Sequence, residues 1–161
     1  MNEYAQQPYP EVVPGPDDAR TAMLLAEDYA GMVSEMSAIT QYVYADITIS
    51  PRDEKVAKAF EQVSLAEMRH LELIGDAILT LGGDPRYASQ GRYWSARYVD
   101  YASRPREALR RAIRAENEAI AQYRRHIALT RNNSVKRLLE RIIMDEESHI
   151  ALFTKLLDEM R

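Results

Sequence analysis

Met144-Asp145-Glu146-Glu147-Ser148-His149-Ile150 sets a glutamate and a histidine three residues apart inside a run that is otherwise apolar at helical spacing. Followed in both directions, Val135, Leu139, Ile142, Glu146, His149, Phe153, Leu156 and Met160 succeed one another at steps of four or three. Such steps put all eight on one face of a helix, the face that turns toward a core. Glu146 and His149 therefore occupy positions where apolar residues are the rule. The same pattern recurs upstream in Val56, Phe60, Val63, Glu67, His70, Ile74, Ala77 and Leu81. A third stripe, Leu109, Ile113, Glu116, Ile120, Tyr123 and Ile127, carries one glutamate. A noisier fourth, Leu25, Met32, Glu35, Ile39 and Tyr42, also carries one.

Four carboxylates and two imidazoles thus converge on one core. Unpaired buried charge is very costly, and divalent cations remove that cost. Carboxylate with imidazole suits iron or manganese. Residues three apart project from the same side of a helix, so Glu67 with His70, and Glu146 with His149, reach a common centre. A single Glu-x-x-His is a weak signal, but two of the three histidines in the chain have one. Surface salt bridges would explain such pairs on a solvent face, not on a core stripe. The pattern matches the template of dinuclear carboxylate bundles, with one Glu from each of two helices and Glu-x-x-His from each of the other two. The expected ligands are Glu35, Glu67, His70, Glu116, Glu146 and His149, holding two iron (or manganese) ions per chain.

An internal repeat supports this set. Glu35, Ile39, Gln41 and Tyr42 align with Glu116, Ile120, Gln122 and Tyr123. The interval from each of these glutamates to the following Glu-x-x-His is 32 residues in the first half and 30 in the second. Two similar hairpins would face each other across a pseudo-twofold axis, each supplying half of the site. The register also selects Glu116 over Glu118. Tyr42 and Tyr123 each lie two turns past a ligand glutamate; they either hydrogen-bond the site or carry an electron, or else pack in the core with a satisfied hydroxyl.

Along the chain, residues 1–16 carry four prolines and read as extended or mobile. A first helix is expected from about Asp17 to Ile49. Ser50-Pro51-Arg52-Asp53 then reads as an N-cap, a proline at the first helical position and an acid in the first turn. The second helix ends at Gly82-Gly83. Residues 82–103, with Tyr87, Tyr93, Trp94, Tyr98 and Tyr101, show no sustained period and form a crossover, long for a helical bundle. A third helix runs from near Ser103 to about Thr130, and a fourth fills Ser134 to Met160 after an Asn132-Asn133 turn. Short links make each pair antiparallel, and the long crossover joins the two hairpins. The fold expected over residues 17–161 is an all-α four-helix bundle of the ferritin-like arrangement.

Composition sets the remaining bounds. Hydrophobic residues make up 46% of the 161 and charged residues 29%, with a net charge of -4. That fits one globular domain and gives no reason to expect nucleic acid as a partner. The arginines from Arg110 to Arg141 read as a solvated face, and His126 as a surface residue. With no cysteine, disulfides, thiolate zinc sites and cysteine-ligated iron centres are excluded. The first residues do not read as a signal peptide, and no stretch approaches the roughly 20 apolar residues of a membrane span. The cytoplasm is the expected location.

Over about residues 20–81 and 104–160 the chain resembles the ferritin-like superfamily, most closely its bacterioferritin and rubrerythrin branches. Residues 144–150 look like the fourth-helix motif of bacterioferritins, and Glu67-Met68-Arg69-His70 like their second-helix motif. The resemblance implies that Glu67 and Glu146 bridge two metals, with Glu35, His70, Glu116 and His149 as terminal ligands. It further implies oxidation of iron(II), or reduction or disproportionation of oxygen or peroxide. Three departures stand out. The rubrerythrin cysteine-ligated domain is missing, and Ala119 replaces the extra glutamate that rubrerythrins place one turn after Glu116. The chain ends at Arg161 without a fifth helix, so a storage shell is not expected. Met68 falls where bacterioferritins ligate haem, yet a methionine on an apolar helix is ordinarily packing, and haem is not expected. Asp145 precedes Glu146 and could orient a ligand histidine; its counterpart in the second helix is Ala66.

Two functional classes follow. One is a non-haem oxidoreductase acting on a small oxidant, as ferroxidase, peroxidase or catalase. The other is a metal-holding or structural bundle with little turnover. Apolar residues off the stripes of helices 1 and 2, among them Val43, Ile47, Leu65, Met68 and Leu71, predict a homodimer packed through those helices.

Overall fold

A computed structural model of the chain describes residues 7–160. Residues 1–6 of the proline-rich segment, and Arg161, lie outside the described residues. The elements run α1 (Asp18–Ala30), α2 (Glu35–Ile49), α3 (Glu54–Thr80), β1 (Ala88–Ser89), β2 (Arg92–Tyr93), a 3-10 turn (Ala96–Tyr98), α4 (Pro105–Leu129) and α5 (Asn133–Glu159). α1 and α2 together form the first rod of a four-helix bundle. α2 pairs with α3, and α4 with α5, as two hairpins. Among the described residues no helix is long and apolar enough to cross a membrane.

The first helix is not continuous, contrary to the sequence expectation. At Gly31 the backbone turns so tightly that a Cβ would lie 2.6 Å from the Glu27 carbonyl oxygen, so only glycine fits. Ser34 then restarts the helix as an N-cap, its hydroxyl accepting from the Ser37 N–H at 3.2 Å. The break makes Glu35 the first residue of α2, at the end where helix dipoles favour negative charge. The start of α3 also shifts. Asp53, not Ser50, caps it, accepting from Val56 N–H at 3.1 Å, while Ser50 closes α2. At the other end, Gly82 with φ +81° stops the helix where expected. Asn132 caps α5 through the N–H groups of Ser134 and Val135.

Two apolar clusters fill the bundle. One gathers Leu25, Ile74, Ile78, Leu138, Leu139 and Ile142. The other stacks Tyr42, Phe60 and Phe153, with ring centroids 5.0–5.7 Å apart, beside Ile49, Val63 and Leu109. On α3, α4 and α5 alike, the predicted ligands fall between the stretches that feed the two clusters. Apolar walls thus hold the polar layer in place at mid-bundle.

The crossover is not structureless. Its short antiparallel β1–β2 hairpin turns at Gly91, with φ +74°, and its aromatic residues strap the bundle. Trp94 donates to the Ser37 hydroxyl at 3.0 Å, and Tyr101 packs edge-on against Tyr44 at 5.0 Å. The described part of the N-terminal segment is extended and docked on α5. Val13 N–H donates to Ser134 Oγ at 3.0 Å, and Arg141 Nε donates to the Gln7 carbonyl at 3.1 Å.

Candidate metal centre

All six predicted ligands meet in the layer between the apolar clusters, each no more than 8% exposed. They form two groups, Glu35 with Glu67, His70 and Glu146, and Glu67 with Glu116, Glu146 and His149. Within each group one donor atom per residue lies within 4.8 Å of every other. Glu67 and Glu146 belong to both groups, so each can offer an oxygen to either side.

The histidines face inward through Nδ1. His70 Nδ1 lies 2.9 Å from Glu67 Oε2, 3.3 Å from Glu146 Oε1 and 3.7 Å from Glu35 Oε2. His149 Nδ1 lies 2.9 Å from Glu146 Oε2, 3.2 Å from Glu67 Oε1 and 3.6 Å from Glu116 Oε1. The i,i+3 spacing accounts for each short intrahelical contact, and facing helices supply the rest. The two tyrosines cross the pseudo-twofold: Tyr42 donates to Glu116 Oε1 at 2.7 Å, and Tyr123 donates to Glu35 Oε1. Each fixes a carboxylate of the opposite half.

The electrostatics of the layer follow from packing four carboxylates and two imidazoles out of water. Burial, reinforced by the charge on Glu67, pushes Glu35 well above the usual carboxylate range. Burial also raises Glu116, with Glu67 and Glu146 adding to the effect. Burial opposes ionisation of Glu67 too, but the His149 and His70 imidazoles outweigh it and hold that carboxyl below its ordinary value. The surrounding carboxylates raise His70 and His149 well above the histidine range against the pull of burial. Glu67 Oε1 is buried with no well-formed hydrogen bond, His149 Nδ1 lying 3.2 Å away, and so keeps acceptor capacity of the kind that a bound cation satisfies. The donor set and this acceptor both fit a pair of divalent ions.

Asp145 takes the outer position expected of it. Its Oδ2 lies 3.1 Å from His70 Nε2, across the bundle from its own helix. Burial alone would raise it, but His70, Arg141 and Tyr9 bring it down to about 2. Two residues read as surface are in fact buried. Arg141, 5% exposed, pairs with Asp145 Oδ1 at 2.6 Å. His126, 3% exposed, reaches Asp28 Oδ2 at 2.8 Å through Nδ1 and Glu27 Oε2 at 3.2 Å through Nε2. The sequence signal for Arg141 was a second stripe: Ser134, Leu138, Arg141 and Asp145 step by four, three and four and are all buried. Tyr9 had no such signal.

A cavity of about 230 Å³ opens onto the layer from between α2 and α4. Glu35, Tyr42, Glu116 and Tyr123 line its inner end, and exposed Arg114 and Glu118 lie toward solvent. Ala38 and Ala119, one turn past Glu35 and Glu116, leave the passage open.

The ferritin-like domain family matches residues 31–161. The chain belongs to the ferritin-like family. A bacterioferritin of Streptomyces coelicolor is 33% identical to it over 131 residues, spanning 79% of this chain and 75% of that protein. Among solved structures, the manganese catalase KatB from Anabaena superposes with a TM-score of 0.85 at 25% identity, covering 99% of this chain and 81% of that one. Mycobacterium tuberculosis bacterioferritin BfrA does so with a TM-score of 0.75 at 28% identity, covering 92% and 89%. With such relatives and a buried carboxylate–histidine layer, this ferritin-like chain is supported as a dinuclear metal-binding protein.

Proposed function

We propose that the chain is an oxidoreductase whose two metal ions, iron or manganese, react with dioxygen or hydrogen peroxide. Glu35 and His70 would hold one ion and Glu116 and His149 the other, with Glu67 and Glu146 able to offer an oxygen to each. The single observation that favours turnover over a purely structural role is the cavity reaching Glu35, Glu67, Glu116 and Glu146 from outside. A site built only to neutralise buried carboxylates needs no such passage.

The bound metals would supply reversible electron transfer to a small oxidant. The chain's own residues do the rest. Carboxylates at Glu67 and Glu146 offer either oxygen to either side, so they accommodate changes in metal charge. Tyr42 and Tyr123 keep Glu116 and Glu35 from swinging into the cavity, and their hydroxyl protons sit at the carboxylate oxygens. Burial holds the Tyr42 proton in place by pushing its ionisation well above the usual phenol range, as does the charge on Glu116. The apolar clusters close the layer on two sides. Stopped-flow measurement of peroxide and oxygen consumption by iron- and manganese-loaded protein tests the proposal. Turnover with one metal is expected; a fully loaded protein inert to both oxidants would leave only the structural role.

On this proposal the protein is cytoplasmic and pairs through α2 and α3 as a homodimer. The crossover covers Tyr44 and Ser37, yet Val43, Ile47, Leu65 and Met68 stay 38–67% exposed. A second copy would cover that strip. Light scattering should give twice the 18.5 kDa chain mass, and Leu65→Glu should halve it. Leu71 is a poor target because it packs against the core. A monomer in the unmodified protein would refute the pairing.

A further inference from the structure

The two halves of the metal layer repeat in sequence but not in their outer contacts. On the His70 side, Asp145 holds the ring nitrogen that points away from the layer, at 3.1 Å. Asp145 is itself held twice. Tyr9 donates to its Oδ2 at 2.7 Å, and the Arg141 guanidinium lies 2.6 Å from its Oδ1. Arg141 in turn stacks on the Tyr9 ring, 4.5 Å from its centroid, and donates to the Gln7 carbonyl. The Tyr9 ring meets His70 edge-on at 6.1 Å. His70 is wholly buried. On the other side, the repeat puts Ala66 where an acid would be needed to hold His149, and His149 keeps some exposure.

Resting on the dinuclear reading above, we propose that Tyr9 is a positioning residue: with Arg141 it fixes Asp145 on His70 and makes the two metal positions unequal, the His70 position being the tighter. An outer acceptor that fixes a ligand ring and raises its basicity typically changes metal affinity 10- to 100-fold. His70 has such an acceptor, clamped by an arm from the far end of the chain, and Ala66 cannot offer one to His149. The His70 position therefore gives up its ion less readily than the His149 position does. That division suits a site that must keep one metal through repeated encounters with substrate.

The test is an anaerobic titration of the full-length protein with manganese(II), free ion being read by electron paramagnetic resonance. Two binding constants at least 10-fold apart are expected. Tyr9→Phe keeps the ring against His70 and Arg141 but removes the hydroxyl. It should weaken the tighter constant about 10-fold and leave the weaker one in place, and Asp145→Asn should act on the same constant. Melting of the metal-free variants separates this from a structural role, which would lower the melting temperature without moving the ratio of constants. Two equal constants in the unmodified protein, or equal weakening of both by Tyr9→Phe, overturns the proposal. Absence of any binding by the unmodified protein overturns the dinuclear reading itself, and the proposal with it.

Discussion

Removing metal from a loaded chain with a chelator should lower its melting temperature by roughly 10–20 °C. The ligands are drawn from Glu35 to His149 and from four different helices, so the unfolded chain has no preformed site and the ions bind the native state alone. With free metal about 100-fold above the dissociation constant, each ion stabilises the fold by ~2.7 kcal/mol, and two contribute about 5 kcal/mol. For a chain of this size, each kcal/mol shifts the midpoint by roughly 2–4 °C. The direction follows from the layer itself, where buried Glu35 and Glu116 resist ionisation until a cation is present. The assay is calorimetry or far-ultraviolet circular dichroism at matched pH and protein concentration, with iron(II), manganese(II) and chelator as the three conditions. A shift below about 2 °C with both metals at saturation would refute the claim that these six residues meet to hold cations, since that is less than even one ion should give.

Glu67→Ala or Glu146→Ala should abolish binding of the metal pair in an equilibrium titration, because each residue serves both halves. Glu118→Ala should leave it intact, since that side chain is 56% exposed beside Arg114; equal damage from all three would show the α4 register to be wrong. His126 gives a pH signature. Burial opposes its protonation, but Asp28 and Glu27 outweigh that and raise it above its ordinary value. Its stabilising effect is therefore complete below about pH 6.5 and fades as pH rises through the folded-state value. Denaturant midpoints of the unmodified protein and His126→Gln should converge as pH rises from 6 to 9, and a constant gap would refute the assignment.

Much of the fold was legible because it rests on local periodicity. The stripes of α3, α4 and α5, and the Glu-x-x-His pairs set within them, need only helical geometry to be read. What escaped depends on residues that meet from far apart in the chain. His126 is polar and beside the α4 stripe, and only its pairing with Asp28, 98 residues away, makes its burial favourable. Arg141 is buried because Asp145 and the Tyr9 arm surround it, the arm arriving from more than 130 residues upstream. Neither partner is visible in a helical window. The break in the first helix was missed for a different reason. Apolar spacing continues through Met32 and Glu35, and only the close approach at Gly31 and the Ser34 cap reveal that the backbone turns there. That break delivers Glu35 to the layer at a helix N-terminus.

The metal content of the purified chain is the most direct measure of a dinuclear layer. After anaerobic loading with iron(II) or manganese(II) and removal of free ion, elemental analysis should find two ions per 18.5 kDa chain; one ion or none would contradict a dinuclear centre.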